Sequence, residues 1–415
     1  MKVSTPLNSP AATAAAAVPL WGRTYRTEDK TSFQLRTGSA RVYRRAEDID
    51  AEIWSAAFGG SHKDFEYYRL LEETMNGQFT YRYLVIFDPQ ENPIALQPLI
   101  LVDQDLAAST RSITARAITR IRTWQPRFLR ARMLLAGCLV GEAEPGMIGP
   151  ADPKRAAAAL AEALLKHARE QCISLITVKD FPGTFRDQLS PLVRAGYTRL
   201  SGFPPLIVDL GFDSFDEYMT TRLSKVTRKG LRRKFRNSER ATPPITFEVL
   251  EDCSDVIDDI YPLYLNVALR SHVTFEVFTK EYFLEAGRRM PGRFRYFIWR
   301  QHGKAIAFSF CTVWKDTIYD NDIGLDYGVA YDLNLYFLTF RDLINWALKN
   351  QLKYYRSGPF HYDPKLHLRL KLVDVDLYVK HLSPVLNAII KVAAPFFAPT
   401  RSDPVLRNHL RRSKS

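Results

Sequence analysis

The sequence predicts an α/β (α+β) fold of two lobes in tandem, each a mixed, mostly antiparallel sheet flanked by helices. Three observations predict it. The runs Phe294 to Arg300, Ala305 to Trp314 and Thr317 to Ile323 are rich in aromatic and β-branched residues and are separated by short turns, the pattern of an antiparallel meander. A Gly-punctuated loop, Gly324 to Ala330, then leads into a helical segment from Leu333 to Lys349, with Leu335, Leu338, Leu343 and Trp346 near one face, and into a short strand from Leu352 to Ser357. The same order occurs earlier, as strands Tyr81 to Phe87 and Ile94 to Val102, a helix from Pro153 to Glu170 and a buried strand from Ile173 to Val178. We read this as an internal duplication.

Taken in order, residues 1–40 mix Pro, Ala, Ser, Thr and isolated charges and read as a disordered lead-in. Residues 41–210 form the first expected lobe. It opens with helices at Asp48 to Phe58, striped by Ile49, Ile53, Trp54 and Ala57, and at Phe65 to Met75. Its strands are separated from its later helix by an insertion holding Arg111, Arg116, Arg120, Arg122, Arg127, Arg130 and Arg132. No catalytic constellation is visible in this lobe, which reads as a structural half that shapes a cleft. Strands within Gly196 to Leu210 end it, with Pro204-Pro205 marking an edge.

Residues 211–382 form the second expected lobe, entered through the basic helical segment Tyr218 to Arg240. There Leu223, Thr227, Leu231 and Phe235 fall four residues apart and make one stripe that can pack on a core. The rest is a solvated cationic face or an anion clamp, with Arg228 and Arg232 as its candidate ligands. Glu251 to Ala286 reads as helical with a break near Arg270-Ser271-His272, which places Arg270 and His272 within reach of a cleft.

The formal net charge of +13 favours anionic partners: phosphate-bearing cofactors, nucleic acid or anionic lipid. Four cysteines without C-x-x-C spacing read as buried, reduced thiols. Ala11 to Ala17 is too short and insufficiently apolar for a signal peptide, and no stretch approaches the ~20 apolar residues of a bilayer span, so a cytoplasmic location is expected. H-E-x-x-H, G-x-S-x-G and Walker A patterns are missing, which disfavours metal catalysis, serine hydrolysis and P-loop chemistry. Aromatic residues are sparse around the basic helix, which disfavours sequence-reading nucleic-acid modules. The oligomeric state is left open.

Across roughly Phe215 to His381, the words GKAIAFSF, YDNDIGLDYGVA, LNLYFLTFRDLINWA and SGPFHYDPKLHLRLKLVDVDLYVKH resemble the GNAT-like N-acyltransferases, in the branch that includes the CelD/BioF2-type acetyltransferases and the FemAB-like transferases. The resemblance implies tandem GNAT-like lobes and transfer of an acetyl or longer acyl group from acetyl-CoA or another acyl-CoA, as co-substrate and without a metal, to an amine acceptor. An alternative it also implies is a FemAB-like aminoacyl transferase acting on a cell-envelope precursor. The Arg/Gln-x-x-Gly-x-Gly/Ala turn of GNAT enzymes is absent, and Gly324 to Ala330 stands in its place with two glycines and no arginine. That departure motivates a third reading, a non-catalytic GNAT-like fold that binds an anionic polymer.

Acyl transfer from a thioester to an amine requires that the amine lose a proton, that the thioester oxygen be stabilised and that the thiolate be protonated. The resemblance assigns the oxygen contact to a backbone N–H at the end of the central strand, the base to a carboxylate and the acid to a tyrosine. Asp320 and Asp322 alternate along the third strand and share a face, with Tyr319 and Asn321 on the other. Two acids on one face mark either a polar cleft or an edge strand protected by charge. Asp326 and Tyr327 in the following loop and Tyr336 in the first helical turn complete the catalytic candidates. Gly328, Asn334 and Leu335 are the cofactor-side candidates, because first-turn N–H groups and the helix dipole hold phosphate, with Asp332 as the expected cap. His361, Tyr362 and Lys365, in the loop after the last strand, join Arg270 as acceptor-binding candidates. From Lys365 to Leu372 cationic and apolar residues alternate, which reads as a period-two strand.

Residues 383–415 close the chain. Val385 to Pro399 is apolar apart from Asn387 and Lys391, and Arg401, Arg407, Arg411, Arg412 and Lys414 follow against Asp403. This end either packs on the first lobe or makes peripheral contact with an anionic membrane.

Overall fold

A computed structural model describes residues 32–105, 118, 120–125, 130–270, 276–396 and 398–412. The expectations for residues 1–31, Arg111, Arg116, Arg127 and His272 lie outside these described residues. The strands are β1 (Ser32–Leu35), β2 (Gly38–Tyr43), β3 (Thr80–Phe87), β4 (Pro93–Asp105), β5 (Arg130–Gly137), β6 (Gly146–Met147), β7 (Leu175–Pro182) and β8 (Thr198–Ser201). They continue with β9 (Leu206–Asp209), β10 (Thr246–Leu250), β11 (Phe294–Gln301), β12 (Lys304–Trp314), β13 (Thr317–Leu325), β14 (Tyr354–Ser357), β15 (Lys371–Leu372) and β16 (Val375–His381). Two mixed sheets result, ordered β1-β2-β3-β4-β5-β7-β16-β8, with β6 on β4, and β10-β11-β12-β13-β14-β9-β15.

Both sheets follow one scheme, in which antiparallel strands end in a parallel pair. Parallel neighbours require a crossover connection, and a helix makes each one. Helix Pro153–Glu170 joins β5 to β7, and helix Leu335–Lys349 joins β13 to β14. Beyond the parallel pair the chain exchanges strands, which corrects two expectations. β9, expected to end the first lobe, lies between β14 and β15, and β16, expected to close the second, lies between β7 and β8. These pairings are non-local, so the alternation within each strand carries no trace of its partner.

Other corrections have local causes. β1 and β2 pair as a hairpin through Leu35 and Gly38, so the lead-in ends before residue 32 and not at 40. The arginine-rich insertion ends in β5, where Arg132 reaches Asp103 on β4 at 3.2 Å. The basic segment is two helices, Phe215–Arg222 and Lys225–Glu239, because Ser224 Oγ accepts the Thr227 N–H at 3.2 Å and starts the second. β10 precedes helices Ile257–Ala268 and Lys280–Arg289, and Arg270, where a break was expected, falls between the two. The alternating run from Lys365 starts in helix Tyr362–His367, leaves it at Leu368, and forms strand only at Lys371 and Leu372. Phe360 (φ 69°) and His361 (φ 48°) turn the chain through left-handed conformations, and Lys365 Nζ ties back to the Gly358 carbonyl at 2.8 Å. Cys138, Cys253 and Cys311 are buried, but Cys172 is exposed in the turn after helix Pro153–Glu170.

The cores explain how the lobes meet. Alternation along β11 sends Phe294, Tyr296 and Ile298 into the core that runs on through the first lobe, and sends Phe297 and Trp299 against helix Leu335–Lys349. Helix Ile257–Ala268 lies against β13 where Gly324 permits close approach: a Cβ there would stand 2.2 Å from Phe308 Cε1 and 2.7 Å from the Leu263 backbone carbon. Gly324→Ala is therefore expected to cost ~1–3 kcal/mol of stability, read as a lower urea midpoint at unchanged m-value.

Candidate active site

β13 and β14 run parallel only from Thr317 to Asp320 and Tyr354 to Ser357. Beyond that point β13 continues to Leu325, while β14 ends and the chain turns at Gly358-Pro359. The two strands thus part, and a cavity of about 140 Å³ opens between them, with helix Leu335–Lys349 as its roof. Asp320, Asp322, Tyr336, His361 and Lys365, singled out from sequence, all line it.

A β-bulge lies at the fork. Phe310 pairs with Asp322 and Cys311 with Asp320, leaving Asn321 as an extra residue on β13. A bulge takes the extra peptide out of the ladder and re-aims its neighbours. Asn321 borders the cavity, but its Nδ2 donates to Thr312 Oγ1 at 2.8 Å, and Thr312 pairs with Tyr319, so its side chain stays on the Tyr319 side as alternation places it.

The two aspartates differ in surroundings. Asp320 accepts the Tyr355 hydroxyl hydrogen bond at 2.6 Å. Burial raises its pKa, and Tyr355, Lys365 and Cys311 offset the rise in part. Asp322 faces the cavity with the protein around it. Burial, reinforced by Glu276 and Asp320, raises its pKa to about 8. Lys365 moves the other way, lowered to about 8 because burial disfavours its charge more than Asp320 favours it. Burial, then Lys365, lowers His361, and burial holds the Tyr336 hydroxyl above its usual range. The fork therefore carries an acid able to take a proton near neutrality and a tyrosine whose hydroxyl keeps its proton there and can donate a hydrogen bond.

The first lobe supplies groups that sequence reasoning did not find. The His62 ring packs on Tyr319 at 4.5 Å, and Arg356 lies 5.6 Å from the centroid of that tyrosine ring. Arg356 also forms an ion pair with Glu142 of the first lobe. Lys63 Nζ donates to the carbonyls of Val140 and Glu142, each at 2.5 Å. Arg293 grips Asp64 through two hydrogen bonds, at 2.7 and 2.8 Å. Burial and the cations Lys63, Arg293 and Arg356 hold His62 well below its usual pKa, hence neutral. Burial also raises Glu276, against the pull of Lys179 on β7. A lone histidine and scattered acids up to 260 positions from β13 leave no signal in the chain order.

Other expected site residues take structural places. Asp326 Oδ1 accepts the Gly328 N–H at 2.9 Å and its Oδ2 meets Lys304 Nζ at 3.0 Å, so this carboxylate shapes the loop and is held below its usual pKa. Tyr327 stacks beneath the Arg270 guanidinium at 3.8 Å, which puts both at the loop and not among the cavity-lining residues. Tyr362 is buried in the second core. Arg228 Nη1 donates to the Thr220 carbonyl at 2.7 Å, and Arg232 is exposed on the same helix.

On the expected cofactor side, helix Leu335–Lys349 is preceded by Asn334 in the left-handed conformation (φ 53°), so Asn334 and not Asp332 is the cap. The Leu335 side chain is buried, which leaves its backbone for any ligand at the helix start. Helix Lys225–Glu239 packs alongside: Ser238 Oγ donates to the Leu333 carbonyl at 2.5 Å, and Lys234 Nζ lies 3.2 Å over the Phe337 ring. Burial, then Arg233, lowers Lys234. A helix N-terminus, Gly328 and a neighbouring cation fit a phosphate at this end of the loop.

Comparison with known proteins agrees with this geometry. Residues 225–365 match the family model of the acetyltransferase (GNAT) domain. A Mycobacterium tuberculosis protein named as an 8-amino-7-oxononanoate synthase 2 is 24% identical over 327 residues, covering 76% of this chain and 42% of that protein. The chain thus matches less than half of that relative's length. Among solved structures, FemX superposes with a TM-score of 0.51 at 10% identity, over 87% of this chain and 99% of that one. L-PGS from Bacillus licheniformis superposes at 0.46 and 12% identity, over 78% and 95% of the two chains. The matched segment holds helix Lys225–Glu239, the β10–β13 meander, helix Leu335–Lys349, β14 and Lys365. The match to the acetyltransferase (GNAT) domain thus spans the fork and its roof helix, at residues 225–365.

Proposed function

We propose that the protein is an N-acyltransferase that moves an acetyl or longer acyl group from acyl-CoA to an amine held at the β13–β14 fork. The observation that carries this reading is the conjunction of the Asn321 bulge with Asp322, whose pKa of about 8 suits a base for an alkylammonium acceptor. The thioester enters along the fork with its CoA phosphates toward Gly328, Asn334 and Leu335. Backbone freed at the bulge donates to the acyl oxygen. The amine nitrogen bonds to the acyl carbon as the C–S bond breaks, its proton passes to Asp322, and the departing CoA thiolate accepts a hydrogen bond from the Tyr336 hydroxyl and takes its proton from solvent. Asp320 and Asp322 line the cavity as carboxyl groups with which an amine can share a proton, which favours an amine over a hydroxyl. Incubation with labelled acetyl-CoA and a panel of primary amines tests the reading: labelled amide is expected. Transfer from aminoacyl-tRNA, with none from acyl-CoA, would establish the FemAB-like donor instead.

The basic helix separates the enzyme from the polymer-binding alternative. Reversing Arg232 and Lys234 to Glu is expected to raise the KM for acyl-CoA about tenfold, with kcat nearly unchanged and the KM increasingly salt-dependent in the parent. A clamp for anionic polymer would leave that KM alone and lose RNA binding, steeply with salt.

A further inference from the structure

The helix Pro384–Ala393, extended by the turn Ala394–Phe396, is amphipathic in the inverted sense. Its polar residue faces the protein. Asn387 accepts the His381 N–H at 3.0 Å and donates to the Gly196 carbonyl at 3.0 Å, pinning the helix to the first lobe. Its apolar residues face outward: Val385 is 68% exposed, Leu386 45%, Ile389 56%, Val392 76% and Phe396 69%. Val385, Ile389, Val392 and Phe396 recur at helical spacing, so they form one continuous stripe. No residue of the helix is buried. A helix that merely packed on the lobe would show the opposite arrangement.

Cations border the stripe. Lys391 is exposed on the helix itself, and Lys380 lies beside it on β16, 5.3 Å from the Tyr197 ring. Arg401 lies 5.5 Å from the centroid of the Phe396 ring. Arg407 and Arg411 are exposed on helix Pro404–Arg412, which buried Leu406 fixes to the second core. Lys380, Lys391 and Arg401 therefore carry positive charge on the folded body next to the apolar stripe, with Arg407 and Arg411 further along the chain.

We propose that this face docks on an anionic phospholipid surface, with Val385, Ile389, Val392 and Phe396 entering the acyl boundary and the surrounding Lys and Arg meeting lipid phosphates. Charge complementarity selects this occupant. A second copy of the chain would bring the same cations face to face, and one short stripe falls below the ~800 Å² per partner that a stable protein interface buries. Among the described residues no helix is long and apolar enough to cross a membrane, so the contact is peripheral. The inference is independent of the acyl donor and would place the fork near amine-bearing molecules held at a membrane.

Flotation of the full chain with phosphatidylcholine vesicles, alone or with about one third phosphatidylglycerol, tests it. The parent is expected to float with the anionic vesicles at low salt, at least ~10-fold more than with the neutral ones, and to be released by high salt. Val385→Asp, Ile389→Asp and Val392→Asp together should abolish flotation with little change in the melting temperature, because all three residues are more than half exposed. Lys391→Glu with Arg401→Glu should reduce it, which keeps the test valid if the triple variant misfolds. Parent protein that stays at the bottom of the gradient at low salt overturns the proposal. So does a folded triple variant that still floats, or a dimer in sedimentation that the triple variant dissolves.

Discussion

Asp322→Asn is expected to lower kcat for acyl transfer ~100- to 10,000-fold while leaving the fold intact, the range for loss of a positioned general base. The parent's kcat is expected to rise with pH to a plateau above about 8, and the variant's residual rate to be flat there. Stability should move the other way. The Asp322 pKa is raised in the folded state, from ~3.9 in the unfolded chain, so the folded protein holds the extra proton. Its contribution is favourable below the unfolded value and is lost as pH rises toward about 8. Asparagine stays neutral, so the variant should be more stable than the parent at pH 8, and the difference should vanish near pH 4. Because Asp320 and Glu276 sit in the same field, the titration belongs to the group of three. A variant that loses activity and also loses stability at pH 8 would mark Asp322 as structural.

Trp299→Ala is expected to destabilise the second lobe by ~3–5 kcal/mol, the range for deleting a fully buried aromatic. Trp299 is 0% exposed between β11 and helix Leu335–Lys349, and its Nε1 donates to Asp342 Oδ2 at 2.8 Å. Burial raises the Asp342 pKa while Arg341 and the indole N–H hold it down, so removing the indole also takes one hydrogen bond from this carboxylate and leaves it to Arg341 alone. That helix brings Tyr336 and Thr339 to the cavity, and activity should fail at the lower melting temperature. Trp299→Phe refills most of the volume without the N–H and should cost ~1–3 kcal/mol. Equal losses in the two variants would assign the whole effect to the hydrogen bond.

The residues at the fork show how far the chain can be read without its fold. The meander of β11, β12 and β13 was legible because aromatic and β-branched runs are cut by short turns, and the observed bounds differ by two residues or fewer at most ends. Asp320, Asp322, Tyr336, His361 and Lys365 were legible as polar groups embedded in apolar runs. The bulge at Asn321 was not, because an extra residue changes pairing without changing composition. β5 was hidden by Arg130 and Arg132, whose side chains mask a strand that pairs on both sides. The run from Lys365 to Leu372 satisfies period two over a length too short to exclude a helix, and the left-handed turn at Phe360 and His361 decided it. His62 and Glu142 meet Tyr319 and Arg356 only through contacts between lobes.

Thermal-shift titration with acetyl-CoA, longer acyl-CoAs and free CoA tests the central claim most directly. A ligand that binds the folded state alone stabilises it by about 2.7 kcal/mol at a hundred times its Kd. The fork reading predicts a saturable rise of several degrees with at least one acyl-CoA, kept in Asp322→Asn and reduced by Arg232→Glu with Lys234→Glu. No rise with any of these compounds, at concentrations up to the millimolar range, would contradict acyl-CoA as the donor.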